Sequence, residues 1–307
     1  MRPMTSDERA TYAEDGVVHL RHVVEPRLVN LMHEAVEQAM ARPSRFGGSM
    51  TPPGQTGRFF QDRYLYRHRP RFGALLREGP MARLAAEATD SSAVRIYFDH
   101  VFVKDAGTRE QFAWHQDRPY WAVDGTQICS TWVALTEADA ASSALEFVRG
   151  SHRWGRTFRP EFPALEGRDP DEVERALWDG VADHIRSFED VCPAFEDHPD
   201  TYDVISFAVE PGDILLFDFR LVHRSGPNAG ANRRAAISWR WLGDDAVWAP
   251  SPGADPIIGP DDTVAEPGRP ITDDEAFPVI HPTPGAAAIT GTRRPPGPEH
   301  GGHDGGP

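Results

Sequence analysis

Lysine is almost missing from this chain. Among 32 lysines and arginines in 307 residues, Lys104 is the sole lysine. That position is either chance or a place where a slender ammonium serves and a planar guanidinium does not. Cysteine is nearly as scarce. Cys129 and Cys192 are the only two, which excludes a disulfide framework and a cysteine-based zinc site. Cys129 lies in an apolar stretch and reads as an inert core thiol. Basic residues are outnumbered by 47 Asp and Glu, for a net charge of −15. Such a chain is repelled by phosphate backbones, so no nucleic acid is expected as a partner, although a local arginine cluster can still attract an anionic small molecule. No apolar run reaches membrane-spanning length, and the polar N-terminus MRPMTSDERATYAEDG has no signal-peptide core. No membrane association is expected, and the expected location is the cytoplasm. The G-x-S-x-G elbow, the P-loop and the dinucleotide fingerprint are all absent.

What is present is enough to bury a core: 39% hydrophobic residues, 10% aromatics and eight tryptophans. Thr5-Ser6-Asp7-Glu8 is a capping box that opens a short helix, which Gly16 stops. Val17 to Leu20 reads as a strand. Pro26 starts an amphipathic helix over 26–41, with Leu28, Leu31, Ala35, Val36 and Ala39 at helical spacing. Residues 43–58 form a Gly/Pro-rich loop, and a further helix is expected over 72–88. From residue 93 the period changes to two. Strands are expected at 94–104, 112–117, 128–135, 145–148, 205–209, 213–223 and 235–242. Residues 155–200 are charged and read as an insertion, with a helical patch near 171–189. Residues 285–307 are Gly, Pro and polar and read as a disordered tail, His300 and His303 included. With no linker in the middle, 1–284 is expected to be one domain with core strands over about 93–243. The pattern is α+β, helices first and then a mainly β core, an antiparallel barrel or jelly roll.

The chemistry concentrates in a few residues. In Trp114-His115-Gln116-Asp117, His115 and Asp117 stand two apart on an expected strand and project to one face. Alone, such a pair is as easily two exposed polar residues. A second segment changes the balance. Pro211-Gly212-Asp213 launches a strand in which Leu215, Phe217, Phe219 and Leu221 share a face that ends in His223, at an expected barrel mouth. Two histidines and one carboxylate hold one face of an octahedral Fe(II) and leave three positions open; a closed zinc site needs a fourth protein ligand. Residues 226–233 turn the chain back, so that a hairpin is expected to bring Arg234 beside the strand of His223. There its guanidinium can grip the far end of a dicarboxylic acid that chelates the iron, with Ser225 donating to the same carboxylate. Arg233 reads as a surface ion pair.

The blocks HQD at 115–117, HRSGPN at 223–228 and Arg234 resemble the phytanoyl-CoA dioxygenase family. DHVFVK at 99–104, STWVAL at 130–135 and EFVRGSH at 146–152 resemble it too, over roughly residues 10–282. The resemblance implies a double-stranded β-helix, a jelly-roll or cupin-like barrel with the N-terminal helices packed outside, and an enzyme using Fe(II), 2-oxoglutarate and O₂. By the same resemblance His115, Asp117 and His223 are iron ligands, and Arg234 and Ser225 hold the distal carboxylate of 2-oxoglutarate. The resemblance also implies that Trp132 lies on the strand lining the cosubstrate pocket and that His100 and Lys104, on one strand face with Phe102, make cosubstrate or substrate contacts. The implied activity is hydroxylation of an unactivated C–H bond of a small-molecule substrate. Asp117 disfavours halogenation, because halogenating relatives lack the acidic ligand. One departure stands out: Ser142-Ser143-Ala144 precede Leu145 where the family often carries Asn-Gly.

Two other classes stay open at this stage, a jelly-roll binding module without iron and a cupin-type dioxygenase without 2-oxoglutarate. His152 reads as a turn-stabilising histidine. The stretch Arg63–Arg71, interleaved with Tyr64, Tyr66 and His68, either covers the barrel mouth or pairs with the abundant carboxylates.

Overall fold

The computed structural model describes residues 2–159, 188, 191–250 and 262–282. The expected helical patch near 171–189 and the expected tail lie, all but Phe188, outside them.

The chain opens with α1 (Ser6–Asp15), β1 (Val17–Leu20) and α2 (Pro26–Ala41). The Thr5–Glu8 capping box is formed, and Gly16 ends α1 in the left-handed region at φ 80°. The hairpin strands β2 (Gly48–Ser49) and β3 (Phe59–Arg63) follow, then α3 (Leu65–His68), α4 (Pro70–Glu78) and α5 (Met81–Thr89). The single helix expected over 72–88 is two helices. Gly79-Pro80 breaks it, because proline has no N–H for the ladder and crowds the preceding turn.

The β core comprises β4 (Val94–Lys104), β5 (Phe112–His115), β6 (Val123–Asp124), β7 (Ile128–Ala134), β8 (Leu145–Val148), β9 (Val204–Ser206), β10 (Ile214–Asp218), β11 (His223–Ser225), β12 (Arg234–Leu242), β13 (Val247–Trp248) and β14 (Val279–His281). A large antiparallel sheet runs β1-β10-β7-β12-β4-β3-β2, with β14 also on β4. A smaller sheet runs β5-β11-β8-β9. Two facing sheets of this topology are the double-stranded β-helix.

All nine residues of β12 are buried, because both of its faces are covered. Ala235, Ile237, Trp239 and Trp241 belong to one apolar cluster with Leu28, Met32 and Val36 of α2 and Leu84 of α5. Ala236 joins Trp132, Leu215, Phe217 and Phe147 between the sheets. By the two-residue period, Arg234, Ser238 and Arg240 share the inward face of Ala236. At about 25 cal/mol per Å² of apolar surface, this helix-covered layer is the main stabilising mass of the fold. The expected strand 213–223 is two strands. β10 pairs in the large sheet and β11 in the small one, and the chain crosses between them through a turn closed by Leu221 N–H to Asp218 O at 3.0 Å.

Candidate active site

His115 ends β5 and His223 begins β11, and the two are direct cross-strand partners. Their ring centroids lie 4.3 Å apart. His115 Nδ1 donates to Ala113 O at 2.8 Å and His223 Nδ1 donates to Leu221 O at 3.0 Å. Each Nε2 is thereby left as a lone-pair donor. Burial lowers both histidines from their ordinary pKa, His223 to about 4, so both rings are neutral at pH 7.

Asp117 does not project from the strand as expected. β5 stops at His115, and Asp117 sits in helical backbone (φ −69°, ψ −31°) at the head of a 3-10 turn over Arg118–Tyr120. Gln116 sets that turn. Its amide donates to Arg220 O at 2.7 Å and Arg156 O at 3.1 Å, and its carbonyl accepts from Phe158 N–H at 3.0 Å. The turn is therefore tied to the crossover that leads to His223. The result is the same convergence by another route: ligand atoms of His115, Asp117 and His223 lie within 4.8 Å of one another. The Asp117 carboxylate is buried, and among the described residues its one side-chain contact is a long one from Ser130 Oγ at 3.3 Å. A buried carboxylate so poorly satisfied, facing two imidazole lone pairs, fits a divalent cation.

Arg234 is not brought in by a hairpin with β11. It opens β12, which pairs with β4 and β7 in the opposite sheet. It meets β11 across the barrel instead, where Nη2 donates to Ser225 Oγ at 2.8 Å. Asn228 holds the connecting turn, donating to the carbonyls of Lys104, Asp105 and Asn232. Lys104 faces Arg234 in register. Its ammonium donates to Ser225 Oγ and Ser143 Oγ, each at 3.1 Å, and to Gly226 O at 2.6 Å. The Arg234 guanidinium lies 5.5 Å from the Trp132 ring centroid.

Among the described residues neither basic side chain has an acidic partner in hydrogen-bond reach, and Arg234 Nη1, fully buried, has no partner. Burial lowers Arg234 to about 10, and burial together with Arg234 lowers Lys104 to about 6. A buried arginine, a lysine ready to take up a proton and two hydroxyls, with no acidic partner in hydrogen-bond reach among the described residues, fit a carboxylate, as a distal end of 2-oxoglutarate supplies.

Sequence reasoning missed Ser143. It occupies the departure Ser142-Ser143-Ala144, has positive φ (67°) and is buried. Its hydroxyl contacts Lys104, Ser225, Gly226 and Arg234. The signal was the departure itself, since a left-handed position is where glycine is usual. His100 is not brought into this cluster. It bonds Gln61 Oε1 at 3.1 Å and stacks on Phe102 at 3.9 Å. His152 lies at the end of α1, beside Ala13 O. Arg233 pairs with Asp105 and Glu37 as a surface residue. In the 63–71 stretch, Arg71 pairs with Glu34 at 2.9 Å and Tyr64 stacks on Phe98.

Two imidazoles and a carboxylate converge in this barrel, beside a separate cluster of Arg234, Lys104, Ser143 and Ser225; a donor set of this kind is what the class of non-haem iron, 2-oxoglutarate-dependent oxygenases needs. The chain belongs to the phytanoyl-CoA dioxygenase (PhyH) family, whose model matches residues 12–236. A probable phytanoyl-CoA dioxygenase of Caenorhabditis elegans is 31% identical over 132 residues, 43% of this chain and 36% of that protein. The alignment thus spans little more than a third of that relative. The fold is similar to the non-heme alpha ketoglutarate dependent carbocyclase SnoK from nogalamycin biosynthesis (18% identity, 91% of this chain, 99% of that one, TM-score 0.66). It is also similar to the epimerase SnoN in complex with Fe3+, alpha ketoglutarate and nogalamycin RO (19%, 89% and 97%, TM-score 0.63). EctD from S. alaskensis with 2-oxoglutarate and 5-hydroxyectoine is a further match (17%, 88% and 86%, TM-score 0.58). At these identities the structural likeness speaks for the fold. Among the described residues, no helix is long and apolar enough to cross a membrane.

Proposed function

We propose that this chain is an Fe(II)- and 2-oxoglutarate-dependent dioxygenase that hydroxylates an unactivated C–H bond of a small-molecule metabolite. One observation carries the reading: the His115–Asp117–His223 ligand atoms converge within 4.8 Å in a barrel that also holds a buried, acid-free arginine. In this reading those three residues bind the iron. When bound, iron with 2-oxoglutarate and O₂ supplies the oxidising equivalents for C–H cleavage, releasing succinate and carbon dioxide.

The chain's own residues do the positioning. The carbonyls of Ala113 and Leu221 fix both imidazole tautomers. Arg234, with its open Nη1, takes the distal carboxylate together with Ser225 and Ser143. Lys104 recovers its proton as the dianion arrives. Trp132 packs against the Arg234 guanidinium and keeps it aimed. The aromatic walls Phe147 and Phe217 beside His223 keep water from the reacting centre. The chain is read as a cytoplasmic, single-domain enzyme over 1–284. A secondary-metabolite substrate is part of the reading, given the carbocyclase and epimerase among its structural neighbours.

The test is anaerobic addition of Fe(II) and then 2-oxoglutarate to the metal-free protein, followed in the visible spectrum. A weak charge-transfer band that needs both additions and disappears with O₂ is the expected result. Iron binding without a band sinks the role of Arg234 and favours a cupin-type dioxygenase. No iron binding sinks the triad and favours a binding module.

A further inference from the structure

Ten aspartate, histidine, lysine and arginine side chains are buried among the described residues. Most are accounted for. Asp62 takes Ser44 N–H, Asp213 takes His19, and Asp218 takes Arg220. Asp99 takes the backbone amides of Leu65 and Tyr66. The proposed iron ligands and cosubstrate clamp account for Lys104, Asp117, His223 and Arg234, and His100 bonds Gln61. Arg240 remains.

Arg240 is 6% exposed and lies on the same inward strand face as Arg234. It makes no ion pair among the described residues. Its nearest polar contacts are long: Nη1 to Ser238 O at 3.4 Å and Nη2 to His100 Nδ1 at 3.4 Å. Nε is fully buried and has no partner among the described residues. Aromatic rings cage the guanidinium, Phe98 at 4.5 Å, Trp121 at 5.7 Å and Phe102 at 5.9 Å. Such faces stabilise a cation but leave its in-plane N–H donors unsatisfied. An uncompensated buried charge is costly and persists where a ligand completes it.

Its position is beside the metal end of the barrel. Arg240 pairs in register with Ser130, whose hydroxyl contacts Asp117. Its charge is felt by Asp117, His115 and His223 alike. The strand ladder also shifts between Arg240 and Trp241, and such bulges re-aim side chains beside active sites. In a loaded site the dication, Asp117, a dicarboxylate and Arg234 cancel; protonated Lys104 sits at the cosubstrate clamp, and Arg240 is surplus positive charge at the metal end.

We infer that Arg240 receives an oxyanion, a carboxylate in the simplest case, carried by the organic substrate, and that its aromatic cage packs against the flat or apolar group bearing that carboxylate. The inference deepens the oxygenase reading above and rests on it.

The test uses the full-length protein under anaerobic conditions with Fe(II) and saturating 2-oxoglutarate, so that Arg234 is occupied. Benzoate and its neutral analogue benzamide are the probes, followed by titration calorimetry and by the shift of the charge-transfer band. The wild type is expected to bind benzoate at least tenfold more tightly than benzamide, the worth of one charge-assisted hydrogen bond. Arg240→Gln is expected to abolish that preference while iron and 2-oxoglutarate bind as before, and Arg240→Lys to keep part of it. A wild type without the preference overturns the inference, and so does a preference that survives in Arg240→Gln. If Arg240→Gln weakens 2-oxoglutarate in the absence of benzoate, the carboxylate belongs to the cosubstrate and the substrate assignment falls. Should that variant not fold, the wild-type preference and Arg240→Lys decide. Failure of the wild type to bind iron or 2-oxoglutarate is seen before any benzoate is added; it breaks the oxygenase reading and this inference with it.

Discussion

Replacing Lys104 by Met separates the two consequences of burying a lysine against an arginine. In the ligand-free protein Lys104 is held near pKa 6, against an ordinary 10.5. Between those two pH values the unfolded chain binds the proton and the folded one does not. Stability of the wild type therefore rises with pH across that window, by at most about 1.4 kcal/mol per pH unit. Lys104→Met removes the penalty, so its melting-temperature advantage over the wild type is largest near pH 6 and fades toward pH 10. The hydrogen bonds lost to Ser143, Ser225 and Gly226 shift both ends of that curve equally, which makes the slope the diagnostic. Cosubstrate binding moves the other way. A charge-assisted hydrogen bond to carboxylate is worth about 1.5–3 kcal/mol, so the variant should bind 2-oxoglutarate about ten- to a hundredfold more weakly. The wild type should also take up a proton on binding above pH 6, and its affinity should fall as pH rises further. Calorimetry of the Fe(II) protein in buffers of different ionisation enthalpy measures both quantities. Unchanged affinity and unchanged proton uptake in Lys104→Met would refute the carboxylate clamp.

Three further substitutions probe other parts of the argument. His223→Ala is expected to abolish iron binding in equilibrium dialysis with the circular dichroism spectrum preserved; retained stoichiometric iron would remove the triad as the metal site. Ser143→Gly frees a left-handed residue (φ 67°) and deletes one hydroxyl donor, so the 2-oxoglutarate affinity should fall about fivefold without loss of thermal stability. A marked drop in melting temperature would count against it. Gly16→Ala forces φ 80° on a residue with a side chain and sets a Cβ against His152 Nδ1 and 2.8 Å from Leu221 Cδ1. A loss of about 2 kcal/mol or more is expected in urea denaturation, and an unmoved midpoint would show that the α1–β1 junction relaxes freely.

Legibility followed the range of the interactions. The capping box of α1, the proline start of α2 and strands such as β4 and β8 are local devices and stand where the residues place them. Errors arose where two elements share one apolar run. The period over 72–88 continues through Gly79-Pro80, and only the backbone chemistry of proline stops the helix. The run from Ile214 to His223 keeps a strand-like alternation while the chain leaves one sheet and enters the other. Periodicity records which residues are apolar and is silent about which neighbour covers them.

The same distinction runs through the site. The sequence alone determined the residue types: two histidines and an aspartate, one arginine after a turn, one lysine in an arginine chain. The tertiary structure decided how they meet. Asp117 reaches the histidines from a turn clamped by Gln116, not from a strand face. Arg234 reaches Ser225 across the barrel, not along a hairpin. Ser143 joins Lys104, Ser225 and Arg234 because its backbone turns left-handed, and Arg240 is a buried cation with no ion pair among the described residues. Ligand chemistry is a property of side chains and can be read from letters. Convergence and the absence of a counter-charge are properties of contacts between residues as far apart in the chain as Ser130 and Arg240, and closure of the two sheets creates them.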